Sequence, residues 1–404
     1  MKKPIHLAIV TPFPPSATSI GQYGYYISRA LALAGVFEQI TVLTEIGPDT
    51  QPVQLRHGIR VERLWRRNCT NASWKIAARL HQLKPDLVWY NLGASMFGSS
   101  LFASVFGLCG PVLSRIVGLP SVVTIHEIAD CADLRTLGVP GGRLAILGAR
   151  LIRFLMTRTD VVCVTLRQHL KWLAERYPNI RLMHIPHGVF DSPVLLESCD
   201  EPNLLMFAHL APFKGLELLL DVFRTLHLRY PALRLTVAGA EHPRFPGYVK
   251  RIRDEFGEHP AMQWLGYVPE AELRNIFARA TIIVVPRLAT TGSSSVVYRA
   301  AGWGRPIVGS DLSELRALAE EEGLWIEFCP CNDAVGLAAS IECLLTNPAR
   351  RRAQAHHNYR TVLRRLTLSH TCQAYIHAFN LALGVTHNSD IRIPVALQPT
   401  PEVL

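Results

Sequence analysis

"IHLAIVTPFPPSATSIGQYGYYISRALALAG", Ile5 to Gly35, runs from a short apolar segment through a turn-rich loop into an amphipathic one. The run "IHLAIVT" (5–11) predicts a buried strand, and "GYYISRALALAG" (24–35) places its apolar residues at helical spacing and stops on Gly35, a common helix terminator. Strand, loop, helix is the unit from which parallel sheets with crossover helices are built. The rhythm continues with candidate strands "QITVLTE" (39–45), "DLVWYN" (86–91), "SVVTIH" (121–126) and "DVVCVT" (160–165). It breaks at the polar, turn-rich "IPHGVFDSPVLLESCDEPN", which reads as a linker, and then restarts. "NLLMFAH" (203–209), "LRLTVAG" (233–239), "MQWLGY" (262–267), "TIIVVP" (281–286), "RPIVGSD" (305–311) and "LWIEF" (324–328) follow. The pattern therefore predicts an α/β chain of two doubly wound parallel sheets in tandem.

Length agrees with two cores, since 404 residues exceed what one domain of about 250 residues holds. The expected boundaries are 1–195 for the first domain and 196–368 for the second. From residue 385 the sequence loses helical period, and 385–404 is expected to be a poorly packed tail. The opening "MKKPIHLAIVTPFPP" has too short an apolar run for a secretory signal and reads as the first strand. Nine cysteines, without the paired spacing of a zinc site, suit reduced thiols in a cytosolic protein. "NCT" at Asn68 and "NAS" at Asn71 match a glycosylation pattern that means nothing without a secretory route.

Charge is unevenly placed. Residues 1–195 hold 21 Lys and Arg against 11 Asp and Glu, and the rest hold 21 against 21, so the whole net charge of +10 sits in the first half. Clusters such as Arg63, Arg66, Arg67 and Arg143, Arg150, Arg153, Arg158 would suit an anionic membrane surface or an anionic substrate; a solvated face is the plain alternative. Nucleic acid is not expected as a partner, because no zinc-finger spacing or aromatic RNA-binding signature accompanies the charge. Met96 to Ser114 carries nineteen uncharged residues, long enough for a membrane span. Its glycines and Pro111, and its place between two strands of one sheet, favour a buried crossover helix, with membrane-surface contact as the alternative.

Ligands of open parallel sheets sit beyond the carboxyl ends of the strands, so four loops are candidates. "PFPPSATSIGQYG" (12–24) could bring backbone N–H groups near an anion, or be an ordinary turn. "TIHEIAD" puts His126 and Glu127 at a strand end. In "AHLAPFKGLELLL", His209 and Lys214 flank a tight loop, and lysine there suits phosphate as a point charge. "TTGSSSVVYRAAGWGRPIVGSD" (290–311) offers Gly292 for close backbone approach, Ser293, Ser294 and Ser295 as a helix start, and Arg299 one turn in, on the face of Ser295.

The order and spacing of "SIGQYGYYISRALALAG", "IPHGV", "FAHLAPFKGLELLL", "LTVAG", "LGYVPEAELRNIFARATIIVVP" and "AAGWGRPIVGSD" resembles the retaining glycosyltransferases of family 4, which have the GT-B fold. The resemblance covers roughly residues 5–380. It implies two Rossmann-like domains facing a cleft, with a nucleotide-diphosphate sugar held mostly by the second domain and a glycan or lipid-linked acceptor by the first. It also implies a last helix, here 369–384, returning to the first domain. Lys214 matches the family's diphosphate lysine, His209 stands where an arginine usually accompanies it, His126 matches a histidine near the donor sugar, and Gly21 matches one glycine of the first loop. Thr18 and Ser19 occupy places that are commonly glycine. The family's two glutamates, eight positions apart, are replaced by Thr291 and Arg299, with Asp311 and Glu314 nearby in sequence as substitutes. No Asp-x-Asp signature is present, so no metal or other cofactor is expected, and the growing charge on the diphosphate would be met by Lys214, His209, Arg299 and a helix end. The resemblance further implies a cytoplasmic enzyme, peripheral on the inner membrane face. The missing carboxylates leave open a non-catalytic scaffold that binds nucleotide or glycan.

Overall fold

The computed structural model describes residues 5–16, 18–47, 53–55, 58–93, 96–98, 101–128, 143–197, 201–290 and 292–385. They form two compact units. One holds the described residues up to Ile128, those from Arg143 to Phe190, and the C-terminal stretch from Leu368; the other holds those from Asp191 to Thr367.

The first unit is built on an eight-stranded sheet of β1 (His6–Val10), β2 (Gln39–Glu45), β3 (Val53–Leu55), β4 (Ile59–Trp65), β5 (Leu87–Leu92), β6 (Ser121–Ile125), β7 (Val161–Val164) and β8 (Arg181–His184). The spatial order is β3-β4-β2-β1-β5-β6-β7-β8, all pairs parallel except β3 with β4. Both faces of the central strands are covered, which is why β1, β5 and β7 read as unbroken apolar runs rather than alternating ones. The helices are α1 (Ser19–Leu33), α2 (Ala72–Leu83), α3 (Leu101–Gly107), α4 (Gly110–Ile116), α5 (Arg143–Met156) and α6 (Arg167–Arg176).

Two expectations need correction here. Helix α1 begins at Ser19 rather than Gly24, because Thr18 caps it: its Oγ1 accepts the Gly21 N–H at 3.1 Å. The uncharged stretch 96–114 is not one crossover helix but α3 and α4 with a break at Leu108–Cys109, next to the helix-starting Gly110-Pro111.

The second unit carries β9 (Asn203–Phe207), β10 (Arg234–Ala238), β11 (Met262–Gly266), β12 (Ile282–Val285), β13 (Ile307–Ser310) and β14 (Glu327–Cys329), in the order β11-β10-β9-β12-β13-β14, all parallel. Around it lie α7 (Leu216–Arg229), α8 (Tyr248–Phe256), α9 (Glu270–Ala278), α10 (Ser295–Gly302), α11 (Ser313–Glu322), α12 (Ala334–Thr346) and α13 (Pro348–Arg365). The chain then returns to the first unit as α14 (Leu368–Ala382), whose Tyr375, Ile376 and Phe379 join the apolar layer under α1. There the Tyr375 hydroxyl is 2.8 Å from both the Tyr23 hydroxyl and Thr124 Oγ1, and Thr124 Oγ1 also accepts from Trp89 Nε1. The predicted tail beyond Val385 lies outside the described residues.

One buried histidine has a consequence for stability. His169 on α6 is 1% exposed, neither ring nitrogen has a hydrogen-bond partner, and burial pulls its pKa down to about 4. The folded state refuses a proton that the unfolded chain accepts below about pH 6.5, so this site costs stability progressively as pH falls, by up to about 1.4 kcal/mol per pH unit. His169→Leu is expected to gain about 1–2 kcal/mol relative to wild type between about pH 7.5 and pH 5, read from thermal melts at both values.

Candidate active site

Each sheet has one place where the strand order reverses, and the loops that carry Gly21, His209, Lys214 and Gly292 follow strands that border such a place. In the first unit the reversal lies between β1 and β5. Asn91, near the end of β5, donates from Nδ2 to Thr11 Oγ1 at 2.8 Å and to the Ile20 carbonyl at 3.0 Å. Its Oδ1 therefore points to His126 Nε2, 2.6 Å away, and must accept from it. This fixes His126 as the Nε2–H tautomer. Burial, with His187 nearby, lowers the His126 pKa to about 3, so the ring is neutral at physiological pH and keeps an unprotonated Nδ1. Tyr23 of α1 packs edge-on against the ring at 4.7 Å, and His187 lies 5.1 Å from Tyr23 on its other contact.

Gly21 sits in the first turn of α1, where a Cβ would lie 2.9 Å from Thr18 Oγ1 and 3.3 Å from the Pro12 and Ser16 carbonyls. The glycine is thus required by close packing of the loop. Its N–H is taken by the Thr18 cap, however, so it does not serve as the anion donor expected of it.

In the second unit the order reverses between β9 and β12. A single 3₁₀ turn, Pro212–Lys214, follows β9 and is joined to the loop after β12 by Leu288 N–H donating to the Phe213 carbonyl at 2.9 Å. Phe213 also meets His242 and Phe245, from the loop after β10, at 5.6 and 5.8 Å between rings. Three strand-end loops therefore converge on one phenylalanine. Lys214 is half-buried with Nζ 5.0 Å from the Phe213 ring. Desolvation lowers the His209 pKa and the Lys214 charge lowers it further; His242 falls to about 4 through desolvation, then Arg244, Lys214 and His209. At neutral pH both histidines are uncharged, and Lys214 and Arg244 supply the cations.

The loop after β12 departs from expectation. Ser294 is the N-cap residue of α10, but its side chain does not cap; the hydroxyl is buried and accepts from Arg287 Nη2 at 2.9 Å, while Arg287 Nη1 donates to Thr290 Oγ1 at 3.2 Å. Burial draws the Arg287 guanidinium down to about 10, leaving it cationic at neutral pH. An N-terminus without a side-chain cap keeps its leading N–H groups and its dipole for an anion. Gly292, Ser293 and Ser295 lie on this approach, whereas Thr291 lies outside the described residues.

Arg299 does not strengthen that anion site. Its guanidinium closes on Glu270 of α9, with Nε 3.4 Å from Asp191 Oδ2 and the group 5.5 Å from the centre of the Trp303 ring, so two carboxylates neutralise it. Asp311 is not a free substitute carboxylate either, since Arg316 holds it at 2.7 and 2.5 Å and keeps its pKa low. Glu314 is buried at the start of α11 and accepts from Ser313 Oγ at 2.9 Å. Arg299→Gln would leave Asp191 and Glu270 facing each other with Arg274 as the remaining cation acting on Asp191. The expected loss is about 2 kcal/mol, shrinking in acid as Asp191, whose pKa burial already raises, takes a proton; melts across pH test it.

Sequence reading missed Asn91, Tyr23, His242, Arg287, Asp191 and Glu270. Arg287 carried a usable signal, an arginine immediately after the strand and Pro286. Asp191 and Glu270 carried none, because their partner is remote in sequence.

Known proteins share this two-sheet fold. Residues 201–347 match the family described as "Glycosyl transferases group 1", and residues 18–188 match the "Glycosyl transferase 4-like domain". The phosphatidylinositol N-acetylglucosaminyltransferase gpi3 subunit of Schizosaccharomyces pombe is 24% identical over 204 residues, which is 49% of this chain and 42% of that protein. Less than half of that relative is thus matched. Sucrose-phosphate synthase from Thermosynechococcus elongatus superposes with a TM-score of 0.73 at 16% identity, covering 95% of this chain and 100% of that one. The Anabaena protein HepE in complex with UDP-glucose gives 0.68 at 15% identity, with 93% and 99% covered. With both sheets matched in turn, the chain belongs to the glycosyl transferases group 1 and is a family 4-like glycosyltransferase of GT-B fold.

Proposed function

We propose that the protein transfers a sugar from a nucleoside-diphosphate sugar to a glycan or lipid-linked acceptor, with retention of anomeric configuration and without a metal ion. The observation that carries the donor class is the convergence on Phe213 of Lys214, His209, His242 with Arg244, and the loop leading to the uncapped start of α10. The half-buried Lys214, the exposed Arg244, two imidazoles and a helix N-terminus make a site for a diphosphate whose charge grows as the sugar leaves. The UDP-glucose bound by the Anabaena protein supports a uridine donor, and the phosphatidylinositol in the yeast relative's name supports a lipid-linked acceptor.

In the proposed reaction the bond from the anomeric carbon to the diphosphate oxygen breaks while the acceptor hydroxyl oxygen bonds to that carbon on the same face, and its proton passes to the departing diphosphate. Lys214, Arg244 and the α10 N–H groups stabilise the departing charge. In the first unit, His126 is held as the neutral Nε2–H tautomer by Asn91 and keeps Nδ1 as an acceptor. No residue is then required as a dedicated base, so the exchange of the family's glutamates for Thr291 and Arg299 alters sugar recognition more than bond breaking.

A melting screen with UDP-, GDP-, ADP- and TDP-sugars tests the reading. A bound donor at 100 times its dissociation constant adds about 2.7 kcal/mol, and the stabilising compound should also be hydrolysed slowly in the presence of EDTA. Absence of any shift would remove the donor assignment, and a shift without turnover would return the chain to a binding scaffold.

A further inference from the structure

We infer that the surface made by α3, α4 and α5 of the first unit docks on an anionic phospholipid bilayer, with its apolar tips inserted between headgroups. Fifteen large apolar side chains are exposed among the described residues, and eight of them lie on these three helices or their ends, so this is a cluster and not ordinary scatter. Helix α5 exposes Leu147, Leu151 and Phe154 at spacings of four and three, a single stripe, with Ile146 beside it. Helix α3 exposes Phe102 and Phe106, one turn apart, and α4 ends in Ile116 and Val117, which are 73% and 74% exposed. Both α3 and α4 pack against α5.

Charge selects the occupant. Neither 96–118 nor 143–158 contains an acidic residue, and arginines alternate with the apolar tips: Arg115 precedes Ile116, Arg150 lies between Leu147 and Leu151, and the Arg158 guanidinium sits 4.0 Å from the centre of the Phe154 ring. Guanidinium groups beside the exposed side chains of α4 and α5 match a bilayer, which presents phosphate at one depth and hydrocarbon a few ångströms below it. No helix of the described residues is long and apolar enough to cross a membrane, so the contact is interfacial. The inference deepens the lipid-linked reading of the acceptor, since such an acceptor is reached from the bilayer surface.

Co-sedimentation of the full chain with vesicles of phosphatidylcholine containing about one-third phosphatidylserine tests it, with pure phosphatidylcholine as control. Wild type should sediment with the anionic vesicles, less so as salt rises. Two neutral pairs on separate helices, Leu147→Ser with Leu151→Ser and Phe102→Ser with Phe106→Ser, should each weaken partitioning about tenfold or more while leaving the melting curve in place. Arg115→Gln with Arg150→Gln should flatten the salt dependence. No sedimentation at low salt, or sedimentation that both serine pairs leave intact, overturns the assignment. So does a self-associated wild type that binds no vesicles and becomes monomeric in the serine pairs, which would make the face an interface between copies. Hydrolysis of nucleotide sugar without vesicles is measured on the same samples. A chain that binds vesicles but hydrolyses nothing keeps this inference and loses the donor reading.

Discussion

Replacing Lys214 by alanine lowers kcat/KM for the donor about 100- to 1000-fold, the usual cost of removing one preorganised group from the charge that develops in a transition state. The position explains the size. Lys214 ends the 3₁₀ turn after β9, half-buried against Phe213, in a cluster where burial and mutual repulsion have already stripped charge from His209 and His242. Neighbours that are neutral at pH 7 cannot replace a lost ammonium, and Arg244 reaches the cluster from another loop. The loss should fall mainly on kcat, because ground-state contacts to nucleotide and sugar remain. Lys214→Arg should recover part of it, restoring charge without the compact geometry. A variant within threefold of wild type would move the diphosphate elsewhere.

The second large effect concerns stability. Gly215, directly after Lys214, adopts a φ of +73°, and a Cβ there would lie 1.8 Å from the Pro286 carbonyl oxygen. Backbone meets backbone at that point, so no side chain can yield, and alanine would be both overpacked and strained. Gly215→Ala is expected to cost about 3 kcal/mol or more, lowering Tm of the second unit by about 10 °C. Because the strain separates the Lys214 loop from the loop after β12, donor affinity should fall with it. A variant that melts like wild type would show that the two loops do not need this contact.

Much of the fold was legible because buried parallel strands announce themselves. Ile5–Thr11, Gln39–Glu45 and Thr281–Pro286 each contain the strand later seen, as short β-branched runs bounded by turns. Strand β4, "IRVERLW", was missed because Arg60, Glu62 and Arg63 hid it within a basic region. In the structure Glu62 takes Arg79 and Arg60 as partners, and Arg63 donates to the Pro14 and Glu45 carbonyls. Charges that a sequence reader assigns to a solvated face were thus tying an outer strand in place. In the candidate site, the turns and the lysine could be read locally. The state of each side chain could not: Arg299 looks like a phosphate ligand until Asp191 and Glu270 are seen closing on it. His126 likewise reads only as a histidine at a strand end until Asn91 fixes its proton.

The return of α14 to the first unit bears on how the protein is made. Tyr23 and Thr124 emerge early from the ribosome, but Tyr375, which links their hydroxyls, is translated only after the whole second sheet. At about 5–20 residues per second, the stretch from Phe190 to Ala382 takes roughly 10–40 s. During that interval the apolar layer beneath α1 lacks its lid, so the half of the chain born first is the half finished last.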